Sequence, residues 1–167
     1  LYRHFIQPGD LAFDVGSHVG DRIASFRRLD AAVVAVEPQP ALQRVLRLLY
    51  GRDPCVELEP VAVGAAAGEI DLLLNLRNPT VSTSSAAFVA AARGAAGWEG
   101  QSWDGRIRVP VVTLDSLIAR YGEPAFVKLD VEGFEAEALA GLTRPVTALS
   151  FEFTTIQRAV ARRCLAC

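Results

Sequence analysis

Leu11-Ala-Phe-Asp-Val-Gly-Ser-His-Val-Gly20 decides the architecture: an apolar run carrying one acid, then a turn with two glycines. It reads as a buried strand over residues 11–15 whose turn opens a helix over residues 20–29, with Ile23, Phe26 and Leu29 on one face. Such a unit is a place for a nucleotide-type cofactor. Glycine permits positive φ and close approach of a ligand to backbone, and the start of a helix presents free N–H donors. The pattern repeats outward. Residues 32–36 predict a second buried strand, closed by Glu37-Pro38, and residues 41–50 predict an amphipathic helix with Leu42, Val45, Leu46 and Leu49 at helical spacing and Gly51 as its stop. Short β-branched runs alternating with helical patterns predict a parallel α/β sheet.

Residues 56–63 read as a third strand, interrupted or ended near Pro60 because proline donates no ladder hydrogen bond. Strands are expected at residues 70–76 and 109–114, and a short helix at 114–121. A core strand at 125–131, a helix at 134–142 and another core strand at 146–153 follow. From Thr154 the pattern is helical, with Ile156, Val160 and Cys164 on one stripe. The expectation is a single domain over residues 1–167, incomplete at its C-terminus and lacking a native N-terminus, since the chain opens on Leu and contains no Met. Residues 77–108 are rich in Ser, Ala and Gly and hold Trp98 and Trp103, so they are expected to form a long irregular insertion on the substrate side. The two tryptophans either line an acceptor pocket or anchor that insertion.

The 167 residues are 51% hydrophobic and 22% charged, enough for a sizeable core and incompatible with wholesale disorder. With 17 Lys and Arg against 19 Asp and Glu the net charge is −2, which gives the whole chain no electrostatic footprint for nucleic acid or an anionic membrane. No apolar run approaches the ~20 residues of a membrane helix, and no signal peptide opens the sequence. Three cysteines, Cys55, Cys164 and Cys167, make no disulfide framework and imply a reducing, cytoplasmic setting. Cys164 and Cys167 have the spacing of half a zinc site, but a structural site needs four ligands, so packing is expected and no metal.

A dinucleotide fingerprint requires a second glycine so that a pyrophosphate can touch the backbone. His18 stands there instead and disfavours an NAD-type oxidoreductase. S-adenosylmethionine carries adenosine without phosphate and has no such requirement. Glu37, at the end of the adjacent strand, is placed to bind ribose hydroxyls, its alternative being a solvated strand-end acid. The second signal is Phe126-Val-Lys-Leu-Asp-Val-Glu-Gly-Phe-Glu135. Alternation along a strand puts Lys128, Asp130 and Glu132 on one face, at the carboxyl end where ligands of open α/β sheets bind. Ionisable groups there are costly unless paired or used. Each also has a structural reading: Lys128 as an ion-pair partner, Glu132 as a cap of the next helix, and His18 as a loop residue meeting a ligand through its backbone.

The segments Asp14-Val-Gly-Ser-His-Val-Gly20, Val36-Glu-Pro38, Thr113-Leu-Asp-Ser-Leu117 and Val127-Lys-Leu-Asp-Val-Glu-Gly-Phe-Glu135 resemble the FkbM family of S-adenosylmethionine-dependent methyltransferases, in order and spacing, from about Pro8 to Phe153. The resemblance implies a doubly wound, Rossmann-like class I methyltransferase sheet of strand order 3-2-1-4-5, then 7-6 in the absent C-terminal part. It also implies O-methylation of a small hydroxylated or sugar-like acceptor. Carried over by position, Asp14, Gly16, Ser17, His18 and Gly20 would flank the methionine part of the cofactor. Glu37 and Pro38 would lie at the ribose, and Val61 and Ala62 near adenine. Asp130 would sit at the methyl-transfer side. Beside the resemblance, the candidates to take a proton from the acceptor are Asp130, Glu132 and His18, in that order. Asp130 is expected to orient or deprotonate the acceptor, with Lys128 of the same catalytic strand end pairing with Glu152 behind it. His18 departs from the small or amide residue usual in this turn. A non-catalytic domain on the same scaffold is the alternative, because folds do not fix function.

Overall fold

A computed structural model describes residues 2–166. Five parallel strands form the central sheet in the order β3-β2-β1-β7-β8, where β1 is Leu11–Val15, β2 Ala32–Val36, β3 Val56–Glu59, β7 Phe126–Leu129 and β8 Leu149–Phe151. Counting parallel strands alone, this is the expected 3-2-1-4-5 order. Period-two alternation sorts the side chains onto two faces. Phe13, Val15, Val34, Val36, Val127 and Leu129 pack with α4 (Leu114–Tyr121), α5 (Glu135–Leu139) and α6 (Arg158–Cys164). Ala12, Val33, Ala35 and Phe126 pack with Ile23 and Phe26 of α1 (Asp21–Arg27) and Leu46 of α2 (Pro40–Tyr50). Strands buried on both faces explain the continuous apolar runs of β1 and β2.

A second sheet was not foreseen. β4 (Ala62–Val63), β6 (Gly105–Val112) and β5 (Gly68–Leu74) form it in that order, with β5 antiparallel and β4 parallel to β6. The strand expected over residues 56–63 is therefore two strands in two sheets. Pro60 breaks the ladder after β3, and the chain crosses over at Val61. β6 starts earlier than residue 109 because Arg106 and Arg108 alternate outward with exposed side chains, pairing with Asp71 and Glu69 on β5. Residues 77–108 are accordingly less irregular than expected: they hold a 3-10 turn (Pro79–Val81), α3 (Ala86–Ala92) and the first part of β6. Ser85 caps α3 by accepting from the Phe88 N–H.

Other elements are shorter than their sequence patterns. β7 stops at Leu129, since Glu132 and Gly133 turn the chain with φ of 53° and 85°, and β8 covers residues 149–151 only. The stripe from Thr154 is a 3-10 turn (Thr155–Gln157) followed by α6, with Val160 and Cys164 buried. Cys167 lies outside the described residues. Among those residues no helix is long and apolar enough to cross a membrane.

Candidate active site

The carboxyl ends of β1, β2 and β7 meet at one cleft of about 650 Å³, part of it open to solvent. Val15, Val36, Val61, Val63, Leu72 and Phe134 give it apolar walls, and Gly16, His18, Glu37, Asp130 and Glu132 bring polar groups to it. Gly16 adopts φ +78°, and a Cβ there would lie 1.8 Å from the Asp130 carbonyl oxygen. Only glycine lets the β1 turn approach the β7 turn this closely. The Gly16 and Ser17 N–H groups both donate to the Val36 carbonyl (2.9 and 3.0 Å), and the Ser17 hydroxyl donates to that of Asp14 (2.7 Å). The turn is thus fixed before any ligand arrives.

Asp14, Ser17 and Gly20 do not line the cleft. Gly20 precedes α1 with φ +87°, and its carbonyl accepts from the Tyr50 hydroxyl (2.7 Å); a Cβ there would meet the Tyr50 ring at 2.5 Å. It seats α1 against α2. Asp14 is fully buried beside its cross-strand neighbour Lys128, whose Nζ is 3.5 Å from Asp14 Oδ1. Burial pushes the Asp14 carboxyl up to about 6, with Lys128 pulling it back.

Glu37 is buried at the end of β2 and accepts from the N–H of Gln39 at Oε1 (2.9 Å) and of His18 at Oε2 (3.0 Å). A carboxylate has about four acceptor positions, so capacity remains for hydroxyl donors in the cleft. Burial pushes its carboxyl up to about 7 against these two backbone bonds. Pro38 lines the cleft next to it. Val61 and Ala62, on the crossover from β3 to β4, line it too. His18 has φ +51°, and its ring Nε2 sits 3.3 Å from Thr80 Oγ1.

On the other side, Lys128 Nζ donates to the Gly16 carbonyl (2.9 Å) and lies 3.2 Å from Asp130 Oδ2. Its ion-pair partners are Asp14 and Asp130, not Glu152, which corrects the expected pairing: the ammonium is drawn between the two strand ends and its contacts are used there. Burial works to lower the Lys128 ammonium, but Asp14 and Asp130 outweigh it and hold it above the ordinary lysine range. Glu132 is pushed up to about 8, by burial first and then by Asp130, Glu152 and Glu135. The capping reading of Glu132 fails. Glu135 accepts from the N–H groups of Val131 (3.0 Å) and Gly133 (3.2 Å) and holds the turn that presents Asp130 and Glu132. Glu152 is raised by Asp130 and by burial.

Residues 77–108 reach the cleft through Thr80, Ser82 and Ser84. Gln39 Nε2 donates to the Pro79 carbonyl (3.2 Å), and Thr83 Oγ1 donates to that of Glu132 (2.6 Å), so this strap touches both sides of the opening. The tryptophans anchor it. Trp98 and Trp103 pack edge-on against Phe88, and Trp103 Nε1 donates to the Val81 carbonyl. Sequence reasoning missed Gln39, Thr80, Ser82 and Ser84, which carry no motif of their own, and gave no role to Phe134 although it lies within the second signal. Glu135 did carry a signal, an acid in the first turn of a helix. Among the described residues no group of three His, Cys, Asp or Glu side chains could hold a metal ion.

The sequence model of the methyltransferase FkbM domain matches residues 14–160, from the end of β1 into α6. The chain belongs to the FkbM methyltransferase family. Among curated proteins, this FkbM domain is similar to hexuronic acid methyltransferase AglP of Haloferax volcanii, 27% identical over 153 residues. The match covers 90% of this chain and 57% of AglP, so the FkbM domain spans little more than half the length of that relative. The central sheet and its glycine-turn cleft are the expected α/β architecture of such a methyltransferase.

Proposed function

We propose that the cleft binds S-adenosylmethionine and that the protein methylates a hydroxyl of a small, sugar-like acceptor. The observation carrying this reading is that Gly16, Glu37 and Asp130, from three strand ends, open onto one cleft. The residues present fit the adenosyl group. Glu37 keeps acceptor capacity for ribose hydroxyls, and Val36, Val61 and Val63 offer apolar wall where the adenine would lie. His18 stands where a pyrophosphate would need bare backbone, which supports an adenosyl sulfonium over a dinucleotide. The name of AglP supports a uronic-acid type of sugar as the acceptor class.

When bound, S-adenosylmethionine supplies a methyl group on a positively charged sulfur. The chain's own residues then hold and align. Glu37 takes the ribose hydroxyls, while Gly16 lets the β1 turn sit against the reacting region. Lys128 holds Asp130 Oδ2, and the Asp130 carboxylate orients the acceptor hydroxyl and receives its proton. Glu132, protonated below about pH 8, donates a hydrogen bond to the acceptor. Alignment of donor and acceptor is worth ~7–11 kcal/mol in favourable cases, and removal of the hydroxyl proton typically ~10²–10⁴-fold.

Thermal-shift titration with S-adenosylmethionine, S-adenosylhomocysteine and NAD(H) tests the cofactor. At 100 times the dissociation constant the stabilisation is ~2.7 kcal/mol, a shift of roughly 5–10 °C. A shift with the two adenosyl-sulfur ligands alone is expected. A shift with NAD(H) alone would overturn the reading, and adenosyl binding without turnover on any hydroxylated sugar would make the domain non-catalytic.

A further inference from the structure

Helix α2 has a second surface that the cleft does not use. Its inner side buries Leu42, Gln43 and Leu46, while its outer side carries Arg44, Val45, Arg47, Leu48 and Leu49. Leu48 is 86% exposed, Leu49 58% and Val45 37%. Residues 38–52 contain no carboxylate, and Arg44, Arg47 and Arg52 are exposed and take part in none of the ion pairs among the described residues. Asp53, the next acid in the chain, is held by Arg27 at 2.9 Å. We propose that this face docks the protein onto an anionic lipid surface, with Leu48 and Leu49 at the boundary of headgroups and acyl chains and the arginines on anionic headgroups. A helix with aliphatic residues flanked by arginines has the chemistry of an interfacial helix, and anionic lipid attracts such a cluster.

The whole-chain charge of −2 averages over this face and hides it. A second copy fits poorly: a two-fold contact through this helix sets the arginines of one copy against those of the other. One face of an 11-residue helix also offers far less than the ~800 Å² per partner of a stable interface. A lipid surface can take the exposed Leu48 and Leu49 side chains without a shape-matched recess, which a protein partner would need. Pro38 and Gln39, just before the helix, line the cleft, so docking holds the cleft rim beside the lipid.

Co-sedimentation with vesicles of phosphatidylcholine plus phosphatidylglycerol, against phosphatidylcholine alone, tests this. Binding to the anionic vesicles only, weakening with salt, is expected. Arg44→Gln with Arg47→Gln should weaken it roughly 25-fold, at about five-fold per arginine near a charged surface. Leu48→Gln with Leu49→Gln should also weaken it by more than about tenfold. All four side chains are exposed, so both double variants should keep the parent melting temperature. Equal binding to neutral vesicles, indifference to both double variants, a dimer abolished by the leucine pair, or tighter binding to poly-aspartate than to vesicles would each overturn the proposal.

Discussion

Gly16 shows how one missing methyl group sets a site. A Cβ at this position would fall 1.8 Å from the Asp130 carbonyl, against backbone that cannot swing aside. Gly16→Ala should therefore push the β1 and β7 turns apart, abolish cofactor binding by calorimetry and lower the melting temperature. Asp130→Asn keeps the shape and removes the charge. Methyl transfer should fall ~10²–10⁴-fold while cofactor binding persists, and undiminished turnover would reject its role. Glu37 predicts a pH effect. Its carboxyl is pushed up to about 7, so under the proposed binding of ribose hydroxyls by Glu37, cofactor affinity should fall as pH drops below about 7 and the carboxylate becomes protonated. Glu37→Gln should bind weakly at every pH and lose that dependence. Gly16 and Glu37 were legible because strand ends punctuated by glycine or proline are visible in one dimension. Glu135 was not assigned a role, because turn-holding requires knowing which N–H groups the turn leaves unpaired.

At the scale of elements, Lys128 is a tie between β1 and β7. Asp14 and Lys128 are register partners across the two parallel strands, and the ammonium also reaches Asp130 and the Gly16 carbonyl. Lys128→Met leaves a buried Asp14 without its cation, which should cost about 3–5 kcal/mol in denaturant unfolding. Asp14→Asn combined with Lys128→Met should recover part of that loss, since the stranded charge is gone, and a double-mutant cycle measures the coupling. The residues 77–108 illustrate the opposite case. Their Ser-, Ala- and Gly-rich composition reads as an irregular insertion, yet α3, the Trp98 and Trp103 contacts on Phe88 and the pairing of β5 with β6 give them a frame. A short alanine-rich helix such as α3 lacks a distinct apolar period of its own, so tertiary partners decide it, whereas the alternation Arg106-Ile107-Arg108-Val109 does mark the early start of β6.

For the whole molecule, five carboxyls stand above their ordinary values: Asp14 near 6, Glu37 near 7 and Glu132 near 8, with Glu135 and Glu152 also raised. The folded state then binds more protons than the unfolded chain across the window from about pH 4 to about pH 8, so these groups subtract stability as pH rises through it. Asp53 and Asp115 are held below the usual carboxylate range, chiefly by bonds from Arg27 and Thr143 respectively, and act only on the acid side of that window. The ligand-free protein should melt higher at about pH 5.5 than at about pH 8.5. Glu37→Gln should flatten that slope, as calorimetric scans across the range will measure.

Apart from the strand order, which the family resemblance implied, the sequence by itself determined the parallel sheet, the glycine turn and the acid at the end of the second strand. Each of these is a local pattern of apolar period and turn chemistry, and such patterns survive projection onto a line. Only the tertiary structure decided that Asp14 and Lys128 face each other and that Ser17 and Gly20 serve packing. It also split the third strand between two sheets and carried residues 80–84 across the cleft. Those are consequences of which distant groups share space, where burial and the satisfaction of polar atoms, summed over the fold, outweigh what any one segment prefers.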